Sequence, residues 1–483
     1  MSLRVLERDP TGRTSSGVSA GSEYAVERSL DSASHTKNSF YTQLVDFAVK
    51  VFLPEGYPNS VSGDYLQYQV FNALQAFCSS LAGLLSSRAL LEGFGVGNAN
   101  ASATHALLLT VLQDFFSRIT TICAAYIVGP SLSPEAKTFR LLADVCNDAA
   151  IILDTLSPLF NSPALPIKLP GARVAALCLS GALRAMCGIA AGGSKAALTM
   201  HFATPVSGAG DIGDLNAKDS SKETVLALLG MLAGSLIVPY LTTPMATYSV
   251  LFALVGLHLA LNYLGVRGVV MRSLNRQRTT LAWDAYRESA DTKVPSPTNV
   301  AELERIFQRP DLLREVKTNS VAGVCTIGSS LNDVLRGSTI PPILLQHMKN
   351  DQYVLWFEHT CLMPRPTQAG QHDLRPGAVH LHICLKEGNS TVDQLKGWVH
   401  AVEVGKMLLL QQRASFPRPG PAEIILAAHR RVDPLFPRFL DGLKTVGWNT
   451  TDAVLLPGSP RALIVSIEAD VDSNLPLDAK KEN

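Results

Sequence analysis

Residues 224–266 read TVLALLGMLAGSLIVPYLTTPMATYSVLFALVGLHLALNYLGV, without one Asp, Glu, Lys or Arg. Pro239 and Pro244 interrupt the run. Proline lacks a backbone donor and clashes with the preceding helical turn, so the run reads as two helices joined by a tight turn. The second piece, Thr247 to Gly265, is long enough to cross a hydrocarbon layer of roughly 30 Å. The first, Thr224 to Leu241, is at the short limit. Lys218 and Lys222 precede the pair, and Arg267, Arg272, Arg276 and Arg278 follow it. A hairpin puts both outer ends on one side, and this positive charge assigns that side to the cytosol or an equivalent compartment.

Working outward, the chain stays apolar and helical from Phe40 to about Arg278. Six helical stretches are expected, at about 62–91, 102–128, 134–160, 170–199, 222–241 and 243–271. The composition agrees. Charged residues are 17% of 483 and mean hydropathy is +0.16, against about 25% charged in soluble domains. With 42 Lys+Arg against 41 Asp+Glu, there is no basic excess for nucleic acid. The eight cysteines lack a C-x-x-C pair and read as reduced core residues.

Several charges sit in awkward places. Asp114 and Arg118 lie one turn apart, and Arg140, Asp144 and Asp148 form an i, i+4, i+8 stripe. Arg173, Arg184 and Lys195 are eleven residues apart, close to three whole turns, so they share one line of a helix. The end cations can snorkel towards the interfaces. Arg184 is left near the middle, where a charge demands a partner or a wet cavity. Asp144 and Asp148 are the expected partners for a structural ion pair, and a ligand path is the alternative. The segment Asp211–Glu223 reads as a polar loop whose residues cap helices, Ser220 and Glu223 resembling a capping box, with a ligand or partner contact as the alternative.

A faint repeat links Ser87–Leu91 and Gly97–Ala101 to Ser194–Leu198 and Gly213–Ala217. Three helices per half would give the inverted 3+3 plan of many secondary transporters. Residues 1–39 read as a disordered tail, without the apolar core of a signal peptide and too acidic for a transit segment. Residues 281–345 read as a connector and 346–470 as a small α+β domain. Its expected strands are Tyr353–Phe357, Ala378–Leu385, Ala453–Leu456 and Ala462–Ile467, and 471–483 is a polar tail.

Catalytic motifs fail on context. Gly208–Gly213 is a literal G-x-G-x-x-G, but no strand precedes it and no acid follows at the needed distance. Gly17–Gly21 is a literal G-x-S-x-G inside the Ser-rich tail. His380 and His382 share one face of a strand, yet no third ligand stands at a telling spacing, so no metal is assigned. His105, His201 and His258 in or beside apolar helices read as satisfied core residues, with His201 singled out because it follows Lys195. No cofactor and no catalytic residue are expected.

One series of runs has a recognisable order. Phe52–Val61 (FLPEGYPNSV) is followed by Asp64-Tyr65, Tyr68-Gln69, Leu74–Phe77, Ser79-Ser80, Gly83–Leu85 and Arg88-Ala89. Then come Gly95–Gly97, Arg140–Asp144 with Asn147-Asp148, Lys195–Thr199 with His201–Ala203, and Asn216–Ser220 with Glu223-Thr224. In these runs the chain resembles the root UVB-sensitive family over roughly residues 45–270, and only loosely beyond. It departs at Phe71-Asn72, where relatives often carry Trp-Asp, and at Gln113–Phe115. The resemblance implies membrane association, often in plastids or other organelles, and ties to root UV-B responses, vitamin B6 homeostasis and auxin transport. It carries over no catalytic residue.

The expectation is a mainly α, multi-helix, membrane-embedded bundle followed by a small α+β domain, in an organellar membrane such as mitochondrion or endomembrane. The expected role is transport or homeostasis of a small anionic metabolite, B6-related by family analogy. The candidate ligand or structural polar residues are Arg88, Arg140, Asp144, Asp148, Arg184, Lys195, His201, Asn216, Lys218 and Asp219. Expected partners are membrane lipid, the metabolite and another family member. The alternatives are a membrane scaffold with purely structural charges and a soluble helical enzyme.

Overall fold

The structure, a computed structural model, describes residues 3–8, 14–20, 23–27, 47–96, 102–161, 171–205, 210–289, 291–358, 379–413 and 420–468. It divides into two units, Met1–Met271 and Arg272–Asn483. The Gly97–Ala101 run of the repeat, residues 208–209 of the glycine motif and the 471–483 tail lie outside the described residues.

In the first unit, strands β1 (Leu3–Arg8), β2 (Thr14–Ala20) and β3 (Glu23–Glu27) form an antiparallel meander. A sheet therefore stands where a disordered tail is expected. Val5, Val18, Tyr24 and Val26 are residue types that favour strands, a preference masked in the sequence by Ser, Gly and charge.

Among the described residues of this unit six helices of more than twenty residues follow: α1 (Tyr65–Gly93), α2 (Ala103–Val128), α3 (Ala136–Leu156), α4 (Ala172–Phe202), α5 (Ile212–Ile237) and α6 (Pro244–Gly268). Five of them are long and apolar enough to cross a membrane, the exception being α3. Thr243 caps α6 by accepting from Ala246 N, and Pro244 takes the first-turn place where its missing N–H costs nothing. α5 begins at Ile212, not near residue 222, so the expected polar loop is its first three turns. The reason is local. Asp211 accepts from the N–H groups of Gly213 at 2.7 Å and Asp214 at 3.2 Å, which caps the helix early. α4 runs unbroken through Gly192-Gly193.

α3 packs on α4, α1 and α6; α2 packs on α4, and α5 on α1. The most polar helix therefore sits inside, and the apolar helices turn large side chains outward. In α2 these are Leu107, Val111, Phe115, Ile119, Ile122 and Tyr126; in α5 they are Leu228, Leu232 and Leu236. Only 6% of the apolar window of α2 is buried. A water-exposed surface rarely carries an apolar patch of this extent.

The second unit is α+β. Helices α7 (Arg276–Glu288) and α8 (Pro297–Leu303) precede β4 (Leu312–Arg314) and β5 (Val321–Ile327). Short helices α9 (Leu331–Leu335) and α10 (Pro342–His347) lead to β6 (Tyr353–Phe357) and β7 (Val379–Leu385). Helices α11 (Thr391–Arg413), α12 (Pro421–Val432) and α13 (Phe436–Thr445) complete it. The sheet order is β4-β5-β7-β6, with β5 and β7 parallel and the other pairs antiparallel. The expected connector thus supplies two of the four strands. The expected strands at 453–456 and 462–467 are not in the sheet; Ile464 makes only an isolated bridge to Lys386.

The core of this unit lies between the sheet, α11 and α7. Trp398 and Trp283 are fully buried, and their ring N–H groups donate to Thr280 at 2.9 Å and Glu403 at 2.9 Å. Trp283 stands edge-on to Phe439, ring centres 5.0 Å apart. At the edge of this core Asp351 accepts from Lys396 at 2.6 Å and from His429 at 2.9 Å. Burial alone would raise the Asp351 carboxyl, but His429 and Lys396 outweigh it and hold it at about 2. The folded value is depressed, so the stabilisation is present above the ordinary value of 3.8 and is lost as pH falls towards 2. The shift corresponds to about 2 kcal/mol. All four tryptophans lie in this unit, so their fluorescence reports it within the whole chain. Urea midpoints read this way should fall between pH 5 and pH 2.5. In Asp351→Asn they should be lower at pH 5 and flatter with pH, and an unchanged slope would remove the assignment.

Candidate functional site

The first unit holds a buried polar seam built on one face of α1. Tyr65, Tyr68, Gln69, Asn72 and Gln75 are all buried and recur at three- and four-residue spacing, a stripe along the helix. Opposite stand Asp219, Lys222 and Glu223 on α5, Lys195 and His201 on α4, and Arg140, Asp144 and Asp148 on α3.

The seam forms linked layers. At its mouth Asp64 accepts from Val270 N at 2.7 Å and lies 3.0 Å from His201 Nε2, tying the start of α1 to the ends of α4 and α6. One turn on, Tyr65 and Gln69 both donate to Asp219, at 2.8 and 2.7 Å. Lys222 is 2.8 Å from the same carboxylate and 2.6 Å from the Tyr65 hydroxyl. Glu223 accepts from Asn72 at 3.0 Å and Lys195 at 2.7 Å. Arg140 and Gln75 donate to Asn72 Oδ1 at 3.0 and 2.9 Å. Arg140 also lies 3.9 Å from Asp144, which accepts from Asn262. The last layer is Asp148 with His258 Nδ1, 2.7 Å apart and fully enclosed.

Beyond that layer, on the α1–α6 side, the contacts turn apolar. Ala82 and Leu85 of α1 meet Ile151, Leu251 and Val255 in a buried apolar cluster. Past it, near the other end of α1, a groove of about 360 Å³ opens, lined by Leu84, Arg88, Glu92, Val96, Ser235 and Val238 among others. A second pocket of about 140 Å³ lies beside it and shares Arg88 and Glu92. Arg88 donates to the carbonyls of Val238 and Leu241, both at 3.1 Å, and to Glu92 at 2.8 Å. It therefore closes the C-terminal end of α5, whose last carbonyls lack partners within the helix.

Most sequence candidates converge here. Arg140, Asp144, Asp148, Lys195, His201 and Asp219 belong to the seam, and Arg88 to the groove. Three do not. Asn216 is exposed, and Lys218 donates to the Lys50 carbonyl at 2.5 Å near the mouth. Arg184 pairs with Asp154 at 2.6 Å, not with Asp144 or Asp148. Asp144 and Asp148 are engaged on the α6 side of α3, and Asp154, ten residues past Asp144, points instead to α4. The sequence reading missed Gln69, Asn72, Glu223, Asn262 and the role of His258. The available signal was the polar periodicity of α1 and the i, i+4 pair His258 and Asn262 in a helix otherwise uncharged up to Arg267.

Chemically the seam carries both signs. Among its described residues, Asp64, Asp144, Asp148, Asp219 and Glu223 face Arg140, Lys195 and Lys222 plus two imidazoles. A seam with both signs can meet a ligand bearing either charge.

Comparison with known proteins matches the chain to a family. Residues 38–290 match the domain described as "Vitamin B6 photo-protection and homoeostasis domain", and residues 373–461 match "Root UVB sensitive protein, C-terminal". The chain is 35% identical over 276 residues to RUS family member 1 of Dictyostelium discoideum, covering 56% of this chain and 49% of that one. It is 27% identical over 435 residues to Protein root UVB sensitive 3 of Arabidopsis thaliana, covering 90% and 88%. It is 26% identical over 410 residues to Protein root UVB sensitive 2, chloroplastic, of the same plant, covering 84% and 83%. The chain thus spans about half the length of the Dictyostelium relative. No solved structure matches it. The seam, the groove and helices α1 to α6 fall within the first matched region, and the chain belongs to the root UVB-sensitive family.

Proposed function

We propose that the chain is an integral membrane protein that moves a small phosphorylated metabolite, a B6 vitamer by the name of the matched domain. One observation carries this reading: the order of features along α1. A polar stripe from Tyr65 to Gln75 is followed by the apolar plug at Ala82 and Leu85, and then by the groove at Arg88. A polar half-path, an apolar barrier and a largely apolar pocket holding Arg88, in that order, suit an occluded transport route. The groove falls in the usual range for small-ligand sites, about 300–1,000 Å³. Arg88 offers a guanidinium for the phosphate. Apolar outer faces on α2 and α5 supply the lipid contact, and buried ionisable groups facing the bundle interior are what a membrane tolerates.

The scaffold reading also has an observation in its favour. Arg88, Arg140, Arg184 and Lys195 each have a carboxylate within 4.0 Å, as structural ion pairs would. Ligand binding separates the two readings. Purified protein in detergent is heated with pyridoxal 5′-phosphate, pyridoxine or inorganic phosphate. At a hundredfold excess over Kd a ligand adds about 2.7 kcal/mol, which should raise Tm by a few degrees. Pyridoxal 5′-phosphate should give the largest shift. Arg88→Gln should abolish it, and Arg118→Gln, in an exposed pair on α2, should not. No shift with any of the three at millimolar concentration sinks the transport reading.

A further inference from the structure

The second unit contains a cluster that neither the seam nor the groove uses. His380 and His382 stand two residues apart on β7, so their side chains leave the same face of the sheet. The sequence offers no third ligand near them, but the sheet does. β6 runs antiparallel to β7 and pairs Trp356 with His382 and Phe357 with Leu381. Glu358, just past the end of β6, then donates its N–H to the His380 carbonyl at 2.8 Å. This sets the Glu358 carboxylate 2.7 Å from His380 Nδ1. One donor atom each from Glu358, His380 and His382 lie within 4.8 Å of one another.

The far side of each ring is also prepared. His380 Nε2 is 2.9 Å from Thr326 Oγ1 on β5, and His382 Nδ1 is 2.6 Å from Ser329 Oγ just past it. A hydroxyl can accept the N–H of one ring nitrogen, and the other nitrogen then offers its lone pair to a ligand. For His382 that other nitrogen, Nε2, is buried and has no hydrogen-bond partner among the described residues. Such an atom calls for an explanation. The two rings lie 4.1 Å apart, tilted by 33°, held side by side. Glu358 and His380 remain 23% and 31% exposed, which leaves an entry path.

We propose that Glu358, His380 and His382 bind one divalent transition-metal ion, with Zn²⁺ the best match to the donor set. Two imidazoles and one carboxylate with a fourth position left for water is the ligand set of open zinc sites. The ligand atoms are Glu358 Oε2, His380 Nδ1 and His382 Nε2, and the Glu358–His380 hydrogen bond holds a proton where the ion enters. Thr326 and Ser329 act as the outer partners that orient the rings.

The test uses the full-length chain in detergent, stripped with chelator and dialysed against buffered Zn²⁺ or Co²⁺. One ion per chain should bind at micromolar concentration or below, and Co²⁺ should give visible absorption of low-symmetry coordination. His382→Ala and Glu358→Gln should each abolish the stoichiometric site. Ser329→Ala should weaken it by about 10- to 100-fold. Tryptophan emission reports whether each variant keeps its fold, and Glu358→Gln preserves shape if His382→Ala does not fold. Asp351→Asn, in the separate Asp351–His429–Asp433 group, should leave binding unchanged. Absence of binding below about 10 μM, far weaker than structural zinc sites, would overturn the proposal. So would binding that survives Glu358→Gln and His382→Ala, or binding lost in Asp351→Asn instead.

Discussion

Asp148→Ala should cost about 3–5 kcal/mol, because it strips one partner from an enclosed ion pair. Asp148 and His258 are each only 3% exposed at the side chain and lie 2.7 Å apart, joining α3 to α6. The imidazole left behind has no water to turn to. A loss of that size is a large share of a typical stability of about 5–15 kcal/mol. The variant should therefore elute as aggregate after detergent extraction at a temperature where the parent remains monodisperse. Replacing both residues with Leu removes the stranded group and extends the adjoining apolar cluster of Ile151, Leu251 and Val255. Swapping a buried pair for apolar residues is often neutral or stabilising, so the double variant should recover the parent's elution profile. Its behaviour towards pyridoxal 5′-phosphate then divides the two functional readings. A purely structural pair leaves the ligand-dependent shift intact; a pair belonging to the path removes it while the fold survives. An Asp148→Ala protein as stable as the parent would refute the enclosed-pair account.

The helices were legible and their pairings largely were not, for a physical reason. Hydropathy and proline placement are local properties, so α1, α2, α4 and α6 begin and end within a few residues of the sequence expectation. α5 was misjudged because charge inside an apolar chain resembles a loop. Yet Asp219, Lys222 and Glu223 are spaced i, i+3, i+4, and that spacing places all three on the face that meets α1. Pairings depend on helix packing, which sequence spacing does not encode. Asp144 and Asp148, one turn apart on α3, meet Asn262 and His258, one turn apart on α6, as two rungs across more than a hundred residues of chain. Each side is visible as an i, i+4 pair, but nothing local joins the two. The same holds in the second unit. His380 and His382 were visible as a pair, whereas Glu358 joins them only through the antiparallel register of β6 and β7.

Gly230→Val should prevent α5 from docking on α1, and with it assembly of the seam. A Cβ at Gly230 would lie 2.8 Å from the Phe77 carbonyl oxygen and 2.8 Å from Ser80 Cβ. The carbonyl belongs to the backbone of α1 and cannot swing aside, so the helices must separate. Between apolar helices in lipid, close backbone approach through small residues is itself a main source of association. Separation would draw Asp219 and Glu223 away from Tyr65, Gln69 and Asn72. The cost should exceed the usual 1–3 kcal/mol of overpacking, about 3 kcal/mol or more, because lost ion-layer contacts add to the clash. Gly234, one turn on, gives the contrasting case. A Cβ there meets the ends of Leu84 and Leu81 side chains, not backbone. Leu84→Ala should therefore rescue Gly234→Val, restoring a monodisperse profile in detergent. No truncation on α1 should rescue Gly230→Val, since the Phe77 carbonyl is present whatever side chain that position carries. Rescue of Gly230→Val by Ser80→Ala would mean that the obstacle is a side chain, and that α5 rests on α1 less closely than the geometry requires.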